Sequence, residues 1–399
     1  DLTTPKVTGD SPVTGVSGNG YFMNTTAGAI TINLPAGSAG DIISVADYAA
    51  TWQTNGLSVA PNGTDKIGGV NGPVGLSTEG QSVTLVYVDS TQGWVNTMDS
   101  TSNVRASTFI LATGGTPLTC GDYKTHVFTG PGTFAVTSAG TPAGSDTVEY
   151  LNIAGAGGGA TAYGGGGGGA GGYRQNYPSP SVAGLAVTAQ GYAVTVGAGG
   201  SASAVGNNSV FSTITSTAGA PGSSAAGVAG GSGGGAGGAH AGNPSPHTFP
   251  GGAGNTPPVS PPQGSNGGDG SFGGGYKGGG GGGASAVGGN CIGPGGAGSP
   301  IADAFIGTTA PTYGTPGPST GRYFSGGGGG GSLQPASGSG SGGAGGGGAG
   351  LSSDGGGGGT ATAGGVNTGG GGGNGSGYPG AITGGAGGSG IVIIRYKFQ

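Results

Sequence analysis

The chain has 399 residues, and 112 glycines with 25 prolines make up roughly a third of it, a composition that usually marks low-complexity or disordered protein. The other mark of disorder, high charge with few apolar residues, is missing, since 9 basic and 14 acidic side chains stand beside 32% hydrophobic residues. The absence of a strict G-X-Y period, of an apolar run long enough for a bilayer and of a basic patch excludes collagen and a membrane-spanning helix, and argues against a nucleic-acid surface.

Residues 1–15 read as an N-terminal connector. They open "DLTTPKVTG", with neither an initiator Met nor a signal-peptide pattern, as a processed chain or one with further residues upstream would. Short β-rich runs bounded by Gly, Asn, Asp and Pro follow, and no sustained helical period appears. "AITINL" (29–34) alternates, with Ile30, Ile32 and Leu34 on one face. "DIISVA" (41–46), "LSVA" (57–60), "SVTLVYV" (82–88) and "WVNT" (94–97) complete a small β-sandwich module over 16–98, with Trp52 and Trp94 as core or edge anchors. Residues 99–107 read as a linker.

A second β module begins at 108. Its predicted strands are "STFILAT" (107–113), "KTHVFT" (124–129), "GTFAVT" (132–137), "DTVEYLNIAG" (146–155), "YAVTVG" (192–197) and "SVFSTITST" (209–217). "GIVIIRYKF" (390–398) closes the chain. Its apolar "IVII" suits a strand covered on both faces in the middle of a sheet. The scaffold is therefore 108–217 plus the final strand, and about 218–389 is one long insertion. An earlier glycine-rich excursion occupies 155–181.

The insertion and the excursion carry runs of bare backbone: six glycines within "YGGGGGGAGGY" (163–173), six at Gly278–Gly283, six at Gly326–Gly331, then Gly345–Gly348, Gly355–Gly359 and Gly369–Gly373. An extended three-fold helix rises about 3.1 Å per residue, so six residues span about 19 Å. Ordering each costs roughly 1–2 kcal/mol, and a backbone hydrogen bond returns about 0.5–1.5 kcal/mol. One run alone stays coil. Several side by side, lacking Cβ atoms, can approach closely and use every N–H and C=O, provided something holds their ends in register. The common run length predicts such a slab, clamped by the β scaffold.

Connections between runs then become loops at the slab's ends. Those at 240–277 and 284–325 are stiffened by proline and carry His247, Phe249, Phe272, Tyr276, Phe305, Tyr313, Tyr323 and Phe324, the candidate receptor-binding residues. The alternative is that these rings pack down as small cores under the loops.

No chemistry is legible, and the chain reads as a non-enzyme with no catalytic, cofactor-binding or metal-binding residues. "VEYLNIAGAGGGA" fits G-x-G-x-x-A after a strand, but six glycines follow where a dinucleotide site needs a helix and an acid. His126 reads as a sheet-surface residue, while His240 and His247 flank proline-rich loop. There is no G-x-S-x-G elbow and no H-E-x-x-H. Cys120 and Cys291 could form one long-range disulfide or stay free.

Two stretches resemble known families. "GYFMNTTAGAITINLPAGSAGDIISVADYAATWQTNGLSVAPNGTDKIGGVNG…LSTEGQSVTLVYVDSTQGW" resembles a small β module of tail-fibre and related structural proteins of tailed bacteriophages. "THVFTGPGTFAVTSAGTPAGSDTVEYLNIAGAGGGA…YAVTVGAGG…NSVFSTITST…GGSGIVIIRY" resembles the glycine-rich C-terminal domain often attached to such proteins. The resemblance implies an extracellular virion protein of the tail fibre, often trimeric. It implies contacts to other tail proteins through the N-terminal part, and distal loops that bind a host surface glycan or outer-membrane protein. Membrane insertion is not expected. A head fibre, decoration protein or filament subunit is the alternative. The expected fold class is all-β: a small N-terminal β-sandwich, then a jelly-roll or TNF-like β-sandwich with an inserted bundle of polyglycine II helices and almost no α-helix.

Overall fold

A computed structural model describes residues 4–100, 108–177, 183–238, 247–272, 275–307, 312–333, 338–352, 360–376 and 382–399. Its contacts divide the chain into two units, Asp1–Arg105 and Ala106–Gln399. The predicted run Gly355–Gly359 and His240 lie outside the described residues, as does most of the linker.

In the first unit, alternation builds two facing sheets. One has the order Lys6–Val7, Asn19–Asn24, Ile42–Asp47, Ser82–Asp89, Gly93–Ser100; the other runs Val13–Thr14, Ile30–Asn33, Leu57–Ala60, Val74–Leu76. Inward residues form one core that includes Ile30, Ile32 and Leu34, and Trp52 and Trp94 are both fully buried in it.

The second unit is built on a two-sheet sandwich. One sheet has the order Ile110–Thr113, Gly132–Ala139, Gly191–Thr195, Ser209–Phe211, Ile214–Ser216. The other has the order Thr116–Cys120, Tyr123–Phe128, Ile391–Lys397, Thr147–Ile153, Tyr173–Gln175, with Leu185–Ala186 paired to Thr147–Ile153. The run at 209–217, read as a single strand, is a hairpin, and Ser212 at its tip adopts φ 53°. The last strand pairs antiparallel on both sides, with Ile393 opposite Val127 and Leu151. Its alternate residues Val392, Ile394 and Tyr396 enter the sandwich core beside Phe134 and Phe211. Ile391 and Ile393 face the other way, into a second apolar cluster. Glu149 and Arg395, register partners, form a buried ion pair, and the guanidinium lies 3.6 Å from the centre of the Tyr123 ring.

His126 is not on the sheet surface. It is 1% exposed, stacked on Tyr396 and edge-on to Phe134. Its Nδ1 lies 2.6 Å from the Gly114 carbonyl and its Nε2 3.1 Å from the Tyr396 hydroxyl. The neutral ring satisfies both, with Nδ1–H donating and Nε2 accepting. Burial lowers its pKa from 6.5, assisted by Lys124 and opposed by the Gly114 hydrogen bond. The unfolded chain therefore takes up a proton that the folded chain refuses. Stability is full above the unfolded value of about 6.5 and falls as the pH drops below it, by at most about 1.4 kcal/mol per pH unit, until the lower folded pKa is reached. Urea titrations at pH 7.5 and 5.5 should show this loss in the second unit, and His126→Gln should flatten it.

Between Ile153 and Ile391 the backbone repeatedly leaves the sheets and returns. Successive N–H groups along these excursions turn to different neighbours with a period of three. Gly166, Gly169 and Gly172 donate to the carbonyls of Ser223, Ala220 and Thr217; Gly167 and Ala170 donate to Gly279 and Gly282; Gly168 and Gly171 donate to Gly372 and Gly369, all at 2.8–3.0 Å. The carbonyls of the same segment accept from three further segments, around Gly157, Gly235 and Gly328. Each bond class recurs every third residue, as an extended three-fold helix requires, and the segment has six neighbours. The bundle takes in 154–160, 165–172 and 197–207 as well as the stretch after 218.

The three six-glycine runs bond directly to one another, through Gly167 to Gly279, Gly281 to Gly328 and Gly328 to Gly168. Spacing this tight excludes side chains. A Cβ on Gly166 would strike the Gly235 carbonyl and one on Gly278 the Gly165 carbonyl, both well inside 3.0 Å. Alanine enters only where its methyl finds room, as at Ala156, Ala170 and Ala236, all fully buried.

Candidate functional site

The sheets define one end of the bundle as its base, because segments leave at Ile153 and re-enter at Tyr173 and Ile391. Segments turn at the opposite, far end after about six residues, or about 19 Å. The turn at 161–164 lies there, where Gly238 donates to the Gly164 carbonyl, and so does the start of the run at Gly278, which donates to Gly331 as Gly331 donates to Gly165.

The eight predicted aromatic positions split between the two ends. Phe305 and Phe324 are completely buried and Tyr323 is nearly so. They belong to the base. A sheet of Ser299–Ile301, Arg322–Phe324 and Thr315–Pro316, together with the one-turn helix Asp303–Ile306 that follows its first-named strand, presses Ile301, Phe305, Ile306 and Phe324 onto Leu151, Ile153, Ile391 and Ile393. Tyr313 packs at the edge of this cluster, and its carbonyl accepts from Arg322 Nε at 2.7 Å. The physical reason lies in the last strand: its second apolar face needs a cover, and this loop supplies it. Phe305, Phe324 and Tyr313 belong to the small core under the loop, while Tyr323, buried on the other face of its strand, packs its ring against Gly317 and its hydroxyl against the Ser319 hydroxyl.

The other four lie together at the far end. His247–Phe249, Gly270–Phe272 and Tyr276–Lys277 form a three-stranded antiparallel sheet leading straight into the run at Gly278. In register, His247 stands opposite Phe272, and Phe272 opposite Tyr276. One row of the sheet therefore holds three rings, and Phe249, two residues along from His247, shares their face. The Phe272 and Tyr276 rings stack at 4.9 Å between centroids, and His247 meets Phe249 edge-on at 4.5 Å. His247 is exposed, Phe272 and Tyr276 are half-buried, and Phe249 is the buried anchor.

Polar residues that sequence reasoning passed over brace this sheet. The Asp269 carboxylate accepts from the Gly251 N–H at 2.9 Å, and the Asn290 side-chain carbonyl accepts from the Asp269 N–H at 2.8 Å. The Cys291 thiol lies 3.3 Å from the Ser271 hydroxyl. Asp269 and Asn290 each sit beside glycine in loop sequence, where an Asx side chain commonly bonds to nearby backbone; that was the available signal. Cys120 and Cys291 are both free thiols. Among the described residues no three His, Cys, Asp or Glu side chains gather as metal ligands, and no helix is long and apolar enough to cross a membrane.

An all-β sandwich that carries a polyglycine bundle, with a ring-bearing sheet at the bundle's far end, defines a glycine-rich structural domain. The chain belongs to the family described as the glycine-rich domain, whose match covers residues 129–397 and so takes in most of the sandwich, the whole bundle and the closing strand. It is also similar to the baseplate wedge protein gp10 of Enterobacteria phage T4, being 36% identical over 73 residues. That likeness covers 18% of this chain and 12% of the relative's length.

Proposed function

We propose that the chain is a structural protein of a bacteriophage particle, placed at the cell-facing end of the tail, that attaches to the host surface through the far end of its glycine bundle. The observation that carries this reading is the gathering of His247, Phe249, Phe272 and Tyr276 on one face of a small sheet, mounted on a block whose rigidity comes from backbone alone. Clustered aromatic rings on a rigid support make contact area at small entropic cost. The likeness to a phage baseplate protein supports a place in the virion. In this reading the protein performs no reaction. It assembles as a homotrimer, its first unit joins other tail proteins, and its far end meets a surface glycan or an outer-membrane protein.

Binding of the purified chain to host cells tests the reading. Tyr276→Ala and Phe272→Ala should each weaken binding about tenfold or more, the loss expected when a central aromatic contact is truncated, and should leave the unfolding midpoint of the sandwich unchanged. Phe324→Ala should do the reverse, costing about 3–5 kcal/mol of stability through its cavity at the base. Unchanged cell binding with both far-end rings removed would leave a purely structural component, such as a head fibre or decoration protein.

A further inference from the structure

On one side of the first unit the two sheets do not close over each other. The five-stranded sheet ends there in Gly93–Ser100 and the four-stranded sheet in Val74–Leu76. Register sets which side chains of these end strands face inward. Val74 stands opposite the core residue Val59, Asn96 opposite Leu85 and Asp99 opposite Val83. All three face into the sandwich, yet all three are exposed, Val74 at 38%. Between them lies a slot of about 300 Å³ walled by Val59, Leu76, Val83 and Leu85. Trp94 and Ile67 shut its inner end, where the Lys66 carbonyl accepts from the Trp94 N–H at 2.8 Å and the Gly68 N–H donates to the Trp94 carbonyl at 2.9 Å. Past that point both walls end in sheet edges. Among the described residues, 95–99 pair only with Ser82–Asp89, and Val74–Leu76 only with Leu57–Ala60.

An apolar slot between two sheet edges suits an added strand: its backbone pairs along an edge, and alternate side chains enter the slot. We propose that the slot receives an extended segment of another protein. The segment pairs along one of these edges, seats an apolar side chain between Leu76 and Leu85, and carries a lysine or arginine that meets Asp99. Two observations select such a segment. The edges on both walls offer main-chain hydrogen bonds, which a small apolar molecule cannot use. Asp99 is the one charged side chain that lines the slot, and its carboxylate accepts from Gln81 Nε2 at 3.1 Å. A basic residue on the segment complements it, and an acidic one is repelled. The inference rests on the reading that the first unit joins other proteins, and it gives that junction a site and a chemistry.

A random library of peptides of about seven residues, roughly one strand in length, is selected against the immobilised full chain, and the labelled winners are titrated by fluorescence anisotropy. They should alternate apolar and polar residues and carry a lysine or arginine. Bound peptide should slow amide exchange about tenfold or more across 74–76 or 95–99, the mark of backbone pairing. Asn96→Phe puts a ring into the slot from an exposed position and should weaken binding about tenfold or more, with native tryptophan emission from the same unit showing that the fold is kept. Asp99→Lys should turn the preference toward peptides with glutamate in place of the basic residue, a reversal that damage to the fold cannot produce. Met98→Thr, on the other face of the strand, should change nothing. A library that yields no peptide sensitive to Asn96→Phe would overturn the slot as the site. Peptides that bind there and protect neither edge would overturn strand addition. Recovery of the full chain with the other proteins of the particle separates this inference from the reading beneath it. Binding that Asn96→Phe leaves intact would keep the junction and remove the slot, and no binding at all would remove both.

Discussion

Gly168→Ala should unfold the glycine bundle's centre, although the change adds one methyl group. Gly168 donates to Gly372, accepts from Gly328, and a Cβ on it would meet the Gly157 carbonyl and the backbone of Gly158 well inside contact distance. Each of these obstacles is backbone, held by its own hydrogen bonds, so no flexible side chain can swing away. Overpacking in ordinary cores costs about 1–3 kcal/mol and occasionally more; here the expected loss is at the top of that range or above it. The sign is informative. In a flexible spacer, glycine to alanine would be neutral or stabilising by about 0.4–1 kcal/mol, because alanine restricts the unfolded chain. Gly130→Ala, where nothing lies within 4 Å, serves as the control in the same unit. Hydrogen exchange is the measurement, since both tryptophans, Trp52 and Trp94, belong to the other unit and would report nothing. Gly168→Ala with undiminished amide protection over 154–172 would mean the segments are not packed as described.

The strands of both sandwiches were legible because period-two alternation is a local signal. Ile30, Ile32 and Leu34 announce their face without reference to anything distant, and "IVII" announces a strand covered on both sides. The glycine runs were legible through a different argument, equal length and the absence of Cβ atoms. What the sequence could not reveal is which end of the bundle a loop occupies. Phe272 and Phe324 sit in similar glycine- and proline-rich surroundings. One caps the far end and the other covers Ile393 at the base, because an even or odd number of traverses separates them from the sheets, and a traverse has no side chains to mark it. His126 was misplaced for a related reason. In "KTHVFT" alternation allows its ring on either face, and what draws it inward is Tyr396, 270 residues later, which supplies the hydrogen bond. Non-local partners of this kind leave no trace in a local pattern.

Removing the last ten residues, Gly390 onward, should abolish the second unit while sparing the first. The strand Ile391–Lys397 is shared by three structures. It joins Tyr123–Phe128 to Thr147–Ile153, its Val392, Ile394 and Tyr396 fill the sandwich, and its Ile391 and Ile393 receive the cover carrying Phe305 and Phe324. Without it, two strands become open edges and two apolar clusters lose their centre. The bundle should then melt too. Its net gain per residue is close to zero, since a hydrogen bond worth about 0.5–1.5 kcal/mol is set against an ordering cost of about 1–2 kcal/mol. Its order therefore depends on ends held in register by the sheets. The truncated chain should show amide exchange at nearly free-peptide rates across 154–172 and 278–283, and rapid proteolysis after residue 108. Tryptophan emission and the unfolding transition of Asp1–Arg105 should stay as in the full chain. Ile393→Asp, a single buried charge in the same strand, should move the protein in the same direction without shortening it. Protection that survived in the glycine runs after truncation would show that the backbone lattice holds itself, and the sandwich would then be its passenger, not its clamp.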